Sequence, residues 1–199
     1  MTAVMSDPFA WADAIAHWDA ILPDMTLAFP EPQEISDRTL TLRPWTTTDV
    51  TAIREIASDP LIAQWNPFPA DLEQWLERRA IWDDHASWAV IDERGVLVGS
   101  VSLFQFEPAS NNCQLGYSTA PTARGRGIAV DAVRCAATFA FATLGIERIA
   151  VFHAVENEAS CRVAQKAGFV LEGVTRQSWR YADGALHDEH LHARLRTDQ

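Results

Sequence analysis

Apolar and polar residues alternate from Thr39 to Trp45, then apolar ones recur at three- and four-residue steps through Val50, Ile53, Ile56 and Ala57. A strand running into a short helix is expected there, opened by Thr48-Asp49 and ended near Asp59-Pro60. An aromatic, proline-rich loop over residues 64–69 precedes a second helical pattern at Leu72, Trp75, Leu76, Arg79 and Trp82. Residues 87–91 and 96–106 read as strands around the hairpin turn Asp92-Glu93-Arg94-Gly95, and residues 113–119 as the next strand. The main apolar stripe follows at Ile128, Ala132, Cys135, Ala136, Phe139 and Ala140, a helix ended at Leu144-Gly145, where glycine suits the left-handed position. A strand over 147–154, a helix over 157–166 closed by Gly168, and a strand pair over 169–179 and 186–195 around Asp183-Gly184 complete the order. This succession predicts an α/β (α+β) fold, a mixed sheet with helices on both faces.

The first 37 residues carry a pattern of their own. Asp7-Pro8 opens a helix in which Trp11, Ile15, Trp18 and Leu22 form a stripe; Pro23 ends it, and Phe29-Pro30-Glu31-Pro32 reads as an extended linker. The expected division is an N-terminal helical extension and linker over 1–37 and a domain over 38–199. The stripe is expected to pack on that domain, with contact to a partner or a second copy, a homodimer, as the alternative.

Chemistry concentrates where residues 115–119 pass through a Pro-containing turn and an Arg/Gly loop straight into the long helix. The first amides of a helix lack intrahelical partners and sit at the positive end of its dipole, so an anion is stabilised there. Gly125 and Gly127 would let a bulky pyrophosphate reach those amides, and Arg124 and Arg126 would add charged forks. The run lacks the Gly-Lys-Ser/Thr of a P-loop and the three-glycine dinucleotide spacing. A plain turn is the competing reading.

Composition narrows the partners. With 199 residues, 48% of them hydrophobic, one core is expected. A net charge of −11 disfavours nucleic acid and attracts cations. Cys113, Cys135 and Cys161 show no paired spacing, which points to reduced thiols in a cytoplasm; neither a membrane span nor a signal peptide is read.

Arg124-x-x-Gly127-x-Ala129, set between a strand and a long helix, resembles the acetyl-coenzyme A loop of the GCN5-related N-acetyltransferase (GNAT) superfamily. Residues 157–169, followed by Glu172-Gly173, resemble the segment after that family's fifth strand, and Leu40-Thr-Leu-Arg43-Pro44-Trp45 its opening strand. The resemblance covers roughly residues 38–196 and is strongest to the branch that acetylates ribosomal-protein N-termini (RimJ/RimL-like). It implies a mostly antiparallel, seven-stranded sheet whose central strands splay where the fourth bulges, acetyl-CoA as cosubstrate, no metal, and direct transfer to a primary amine on a protein N-terminus or a small molecule. The cofactor arm would run along Tyr117, Ser118 and Thr119. Its pyrophosphate would rest on Arg124, Gly125, Arg126, Gly127, Ile128 and Ala129, Asn157 would bind the arm, and Ser160 would face the thiol. Trp65 and Phe68 would line the acceptor side. The sequence departs from the family at Ala164, where many members carry the tyrosine that protonates the leaving thiolate. Ser160 is then either a substitute donor or merely a helix cap. His153 is a candidate base, with Glu107 and Glu156 as others. His187, His190 and His192 complete no recognisable metal motif. A non-catalytic acyl-CoA-binding or partner-binding module on the same fold is the alternative function.

Overall fold

The computed structural model describes residues 28–37 and 39–198, and the tryptophan-bearing helix expected over residues 7–22 lies outside them. In chain order the elements are β1 (Ile35–Ser36), β2 (Leu40–Pro44), α1 (Val50–Ala57), α2 (Pro60–Trp65), α3 (Leu72–Arg79), β3 (Ala86–Asp92), β4 (Leu97–Glu107) and β5 (Asn112–Thr119). Then come α4 (Ile128–Ala142), β6 (Arg148–Ala154), α5 (Glu158–Lys166), β7 (Val170–Arg180) and β8 (Leu186–Leu195). They form one 8-stranded sheet in the order β1-β2-β3-β4-β5-β6-β8-β7. Every neighbouring pair is antiparallel except β5 and β6. The strand beyond the expected seven is β1, a two-residue edge that pairs Ile35 with Leu42 inside the stretch read as linker.

One helix stands between the expected stop at Asp59-Pro60 and the aromatic loop. Asp59 accepts hydrogen bonds from the amides of Leu61 and Ile62, and Pro60 supplies a ring already set to helical φ, so α2 starts where the sequence reads as a helix stop. Helix α4 packs on β2, β4 and β5, and α5 on β6, β7 and β8 and against α4. At the centre Trp88, fully buried, meets Trp82 and Phe139 edge-on at 4.7 and 5.3 Å. Burying each such side chain is worth about 1.5–3 kcal/mol. Two of the core indoles are hydrogen-bonded: Trp88 Nε1 donates to the Gln33 carbonyl at 2.9 Å and Trp45 Nε1 to Ser87 Oγ at 3.0 Å.

The sheet opens in its middle. Strands β5 and β6 pair only through Asn112, Cys113 and Gln114 opposite Arg148, Ile149 and Ala150, and beyond Gln114 they part. The expected bulge in the fourth family strand, β5 here, is not found: β4 and β5 hold a constant register from Gly99↔Thr119 to Phe104↔Gln114. The irregularity sits instead in β4 at Gln105, which has φ 50. Strand β5 is drawn onto β4 to its end. A Cβ at Gly99 would fall 2.3 Å from the Ser118 carbonyl, so only glycine admits this approach, and the Ser100 and Ser118 hydroxyls bond at 2.8 Å. No helix among the described residues is long and apolar enough to cross a membrane.

Candidate functional site

Helix α4 begins at Gly127, which stands in the left-handed region at φ +84 with no side chain capping the first amides. Among the described residues, a Cβ on Gly125 would meet nothing within 4 Å, and one on Gly127 only the Asp131 carboxylate at 4.0 Å. The space over the two glycines is thus open. It belongs to a cleft of 660 Å³ whose floor includes Thr119, Gly125, Gly127 and Ala129 and whose far wall is the first turns of α5 with Asn157 and Ser160. Such a mouth of free amides fits a pyrophosphate, and the volume fits a long ligand.

A second cavity of 410 Å³ lies on the other side of the splay, bounded by Gln114, Val151, His153, Trp179, Tyr181 and Glu189. Trp65, Asn66, Tyr117, Asn157 and Ser160 line both cavities, so the two meet there. At the junction the Tyr117 hydroxyl lies 2.7 Å from Ser160 Oγ and 3.0 Å from the Ser160 carbonyl. Burial pushes the Tyr117 phenol up to about 12, despite the opposing hydrogen bond with Ser160, so it keeps its proton at neutral pH. Asn157 caps α5 by accepting the Ser160 amide at 3.1 Å, which leaves its NH₂ group for another acceptor. Asn66 Nδ2 donates to the Tyr117 carbonyl at 3.3 Å, on the strand edge that β6 has left.

The cleft therefore gathers Tyr117, Ser118, Thr119, Arg124, Gly125, Gly127, Ile128, Ala129, Asn157 and Ser160, all expected from the sequence. Of the expected cofactor- and acceptor-binding residues, Arg126 and Phe68 do not reach it. Arg126 turns to Asp92, at 3.2 Å, because that buried carboxylate at the β3–β4 turn lies on its side of the loop. Phe68 packs edge-on against Trp75 at 5.1 Å, where it adds to the core and lines neither cavity. Arg124 stays at the cleft but forks onto Asp59, at 2.5 and 3.3 Å, and this guanidinium holds the Asp59 carboxyl below its ordinary range. Arg162 and Lys166, one turn apart on α5, bring positive charge to the wall opposite; sequence reasoning passed over them, although their four-residue spacing places them on one face.

Around the second cavity the structure adds groups that the sequence did not mark. Glu189 is buried, accepting the Tyr181 hydroxyl at 2.9 Å and the Ser178 hydroxyl at 2.8 Å. Burial and then the Glu189 carboxylate push the Tyr181 phenol upward, so it remains a donor. Trp65 meets Tyr181 edge-on at 5.4 Å, which gives the cavity an aromatic wall. His153 borders the same cavity, but the residue is 4% exposed, its Nδ1–H donates to the Ala154 carbonyl at 2.8 Å, and its Nε2 has no partner among the described residues. Burial pulls its pKa down, so the imidazole is neutral at pH 7. Ala164 is fully buried.

A family profile described as acetyltransferase (GNAT) domain matches residues 39–170. A protein of Bacillus subtilis (strain 168) named "Putative ribosomal N-acetyltransferase YdaF" is 36% identical over 94 residues, 47% of this chain and 51% of that protein. The ribosomal-protein-serine acetyltransferase of Escherichia coli (strain K12) is 30% identical over 112 residues, 56% of this chain and 62% of the other. The chain spans about half the length of the curated relatives it matches. Among solved structures, Mycobacterium smegmatis RimJ in complex with CoA-disulfide superposes with a TM-score of 0.73 at 22% identity, over 82% of this chain and 88% of that one. With the profile covering most of the chain, from β2 through α5, and the splayed sheet beside an open helix mouth, this protein belongs to the GNAT acetyltransferase family.

Proposed function

We propose that the chain moves the acetyl group of acetyl-CoA to a primary amine, the two substrates being bound together. The observation that carries this reading is the meeting of two cavities at Tyr117, Asn157 and Ser160, inside the gap between β5 and β6. Acetyl-CoA supplies an activated thioester. The amides opening α4, with Arg124, Arg162 and Lys166, would hold its phosphates, and Asn157 its amide-bearing arm.

The chain's own groups divide the remaining work. An amine attacks only when neutral, so it must give up a proton, and Glu189 is the carboxylate placed in the acceptor cavity to attract an ammonium group and receive that proton. Its two hydroxyl donors, Tyr181 and Ser178, fix its orientation. On the thiol side Tyr117, kept protonated by burial, stands 2.7 Å from Ser160 Oγ, and a turn of its O–H from the Ser160 carbonyl to that oxygen would free the serine hydroxyl to donate toward sulfur. This pair offers the hydroxyl that Ala164 lacks and favours catalysis over a purely binding role. The net charge of −11 and the aromatic wall at Trp65 and Tyr181 suit a cationic acceptor, a protein N-terminus or a small polyamine-like amine. Two of the curated relatives are named for ribosomal acetylation, which favours the protein N-terminus.

The test is thiol release from acetyl-CoA in the presence of basic N-terminal peptides and small amines. Release above the acceptor-free background is expected with at least one class. No release by any acceptor, together with no rise in thermal midpoint at saturating acetyl-CoA, would refute the proposal.

A further inference from the structure

We propose that His153, Cys161, His190 and His192 form a closed tetrahedral site for a divalent transition metal, Zn²⁺ by ligand chemistry, that fastens α5 to the β6–β8 pair. The register builds it. His153 on β6 stands opposite His190 on β8, and His192, two residues along and opposite Val151, shares their face of the sheet. Helix α5 packs on that strand pair and contributes Cys161 from its first turn.

One donor atom from each of the four residues lies within 4.8 Å of all the others, and Cys161 Sγ is 3.7 Å from His192 Nε2. With Zn–N near ~2.0–2.1 Å and Zn–S near ~2.3 Å, tetrahedral donor atoms stand roughly 3.3–3.7 Å apart, so side-chain adjustment alone closes the set. The three rings already lie in contact: His153 is 5.2 Å from both His190 and His192, centroid to centroid. His153 Nε2 and His190 Nδ1 are buried nitrogens without a partner among the described residues, an expensive arrangement unless something coordinates there. The Nδ1–H of His153, given to the Ala154 carbonyl, makes the outer contact that fixes a metal-binding imidazole in the right tautomer. Burial lowers the pKa of both His153 and His192, favouring the neutral, ligating form.

The other carboxylate–histidine group, Asp83, Asp84 and His85, is a poorer candidate. Its two carboxylates are exposed and both are engaged by Arg78, at 2.8 and 2.7 Å. The sequence expectation of no metal weighed only His187, His190 and His192; His187 instead pairs with Asp183 and Glu156. Four protein ligands and no open position make the site structural. On binding, Cys161 releases its thiol proton to solvent as the sulfur–metal bond forms. The metal would then hold Ser160, the next residue, against the strands that carry Glu189.

The experiment uses the full chain with any affinity tag removed, stripped by chelator and titrated with Co²⁺ and, separately, Zn²⁺. One equivalent of Co²⁺ is expected to raise a near-ultraviolet thiolate-to-cobalt band with the visible bands of a tetrahedral centre, and Zn²⁺ is expected to displace it. In Cys161→Ser that band should vanish and Zn²⁺ affinity fall by more than the about 10- to 100-fold typical of losing an outer-shell partner. His190→Gln, at a half-buried position, provides a second variant should Cys161→Ser misfold, with the same loss of affinity expected. Absence of a thiolate band in the unaltered chain, or an unchanged spectrum in the variants, overturns the proposal. Neither readout depends on acetyl transfer.

Discussion

Gly127→Ala separates a backbone effect from a ligand effect. At φ +84 any residue with a Cβ is strained, by about 1–2 kcal/mol. Gly145, beyond the other end of the same helix, has φ +69 and nothing within 4 Å of its would-be Cβ, so Gly145→Ala carries the same penalty far from the cleft. For a chain this size each ~1 kcal/mol moves the thermal midpoint by about 2–4 °C, so both variants should melt about 2–8 °C below the parent. They should differ once acetyl-CoA is added. At about 100 times its Kd a ligand adds about 2.7 kcal/mol, or roughly 5–11 °C, and Gly145→Ala should keep that whole gain. In Gly127→Ala the new methyl stands in the open space over the first amides of α4. Crowding of that kind costs about 1–3 kcal/mol, equivalent to an about 5- to 150-fold loss of affinity. At the same concentration the cofactor should then contribute only about 0.3–1.8 kcal/mol. Differential scanning fluorimetry across a cofactor titration reads all of this. Equal cofactor shifts in the two variants would show that the helix mouth does not hold the phosphates.

Three further outcomes follow from the site and its surroundings. Tyr117→Phe and Ser160→Ala should each lower kcat by about 100-fold in steady-state thiol release, with the double variant little worse than either, because the two hydroxyls act as one relay; fully additive losses would separate them. Glu189→Gln should raise KM for a cationic amine more than tenfold while leaving the cofactor-induced thermal shift intact, and an unchanged KM would remove Glu189 from acceptor recognition. Asp92 is held at about 2: burial would raise it, but the amides of Val96 and Arg94 and the guanidinium groups of Arg94 and Arg126 outweigh that. Since its folded pKa lies below the unfolded value near ~3.9, its stabilising share is present above pH ~4 and is lost as pH falls toward ~2. Midpoints recorded over that window should fall less steeply in Asp92→Asn than in the parent.

What the sequence revealed and what it withheld have physical causes. The open helix mouth was legible because Arg124, Gly125 and Gly127 stand close together in the chain, and local chemistry alone favours an anion there. Helix α2 was missed since its six residues are too short to show two turns of periodicity, although Asp59 and Pro60 carried its start signal. The direction of a loop side chain is set by distant partners, and so Arg126 and Phe68 were assigned to the site although Asp92 and Trp75 claim them. Glu189 reads as one more polar position on an alternating strand. Its meeting with Tyr181 and Ser178 depends on the β7–β8 pairing with its two register shifts. The imidazole–thiol cluster joins β6 and the helix α5 that follows it to β8, which comes a whole strand later in the chain, and only the β6–β8 register brings His153 to His190.

The sheet is in effect two plates joined by a short seam of three residue pairs, with the Tyr117–Ser160 bond as a stitch across the open end. Both ligand chambers share the walls of that opening. If donor and acceptor occupy these chambers as proposed, whichever enters first would stiffen Trp65, Asn66, Tyr117, Asn157 and Ser160 on behalf of the second. By linkage the favour is returned in equal measure, so donor and acceptor should each tighten the other's hold by the same factor.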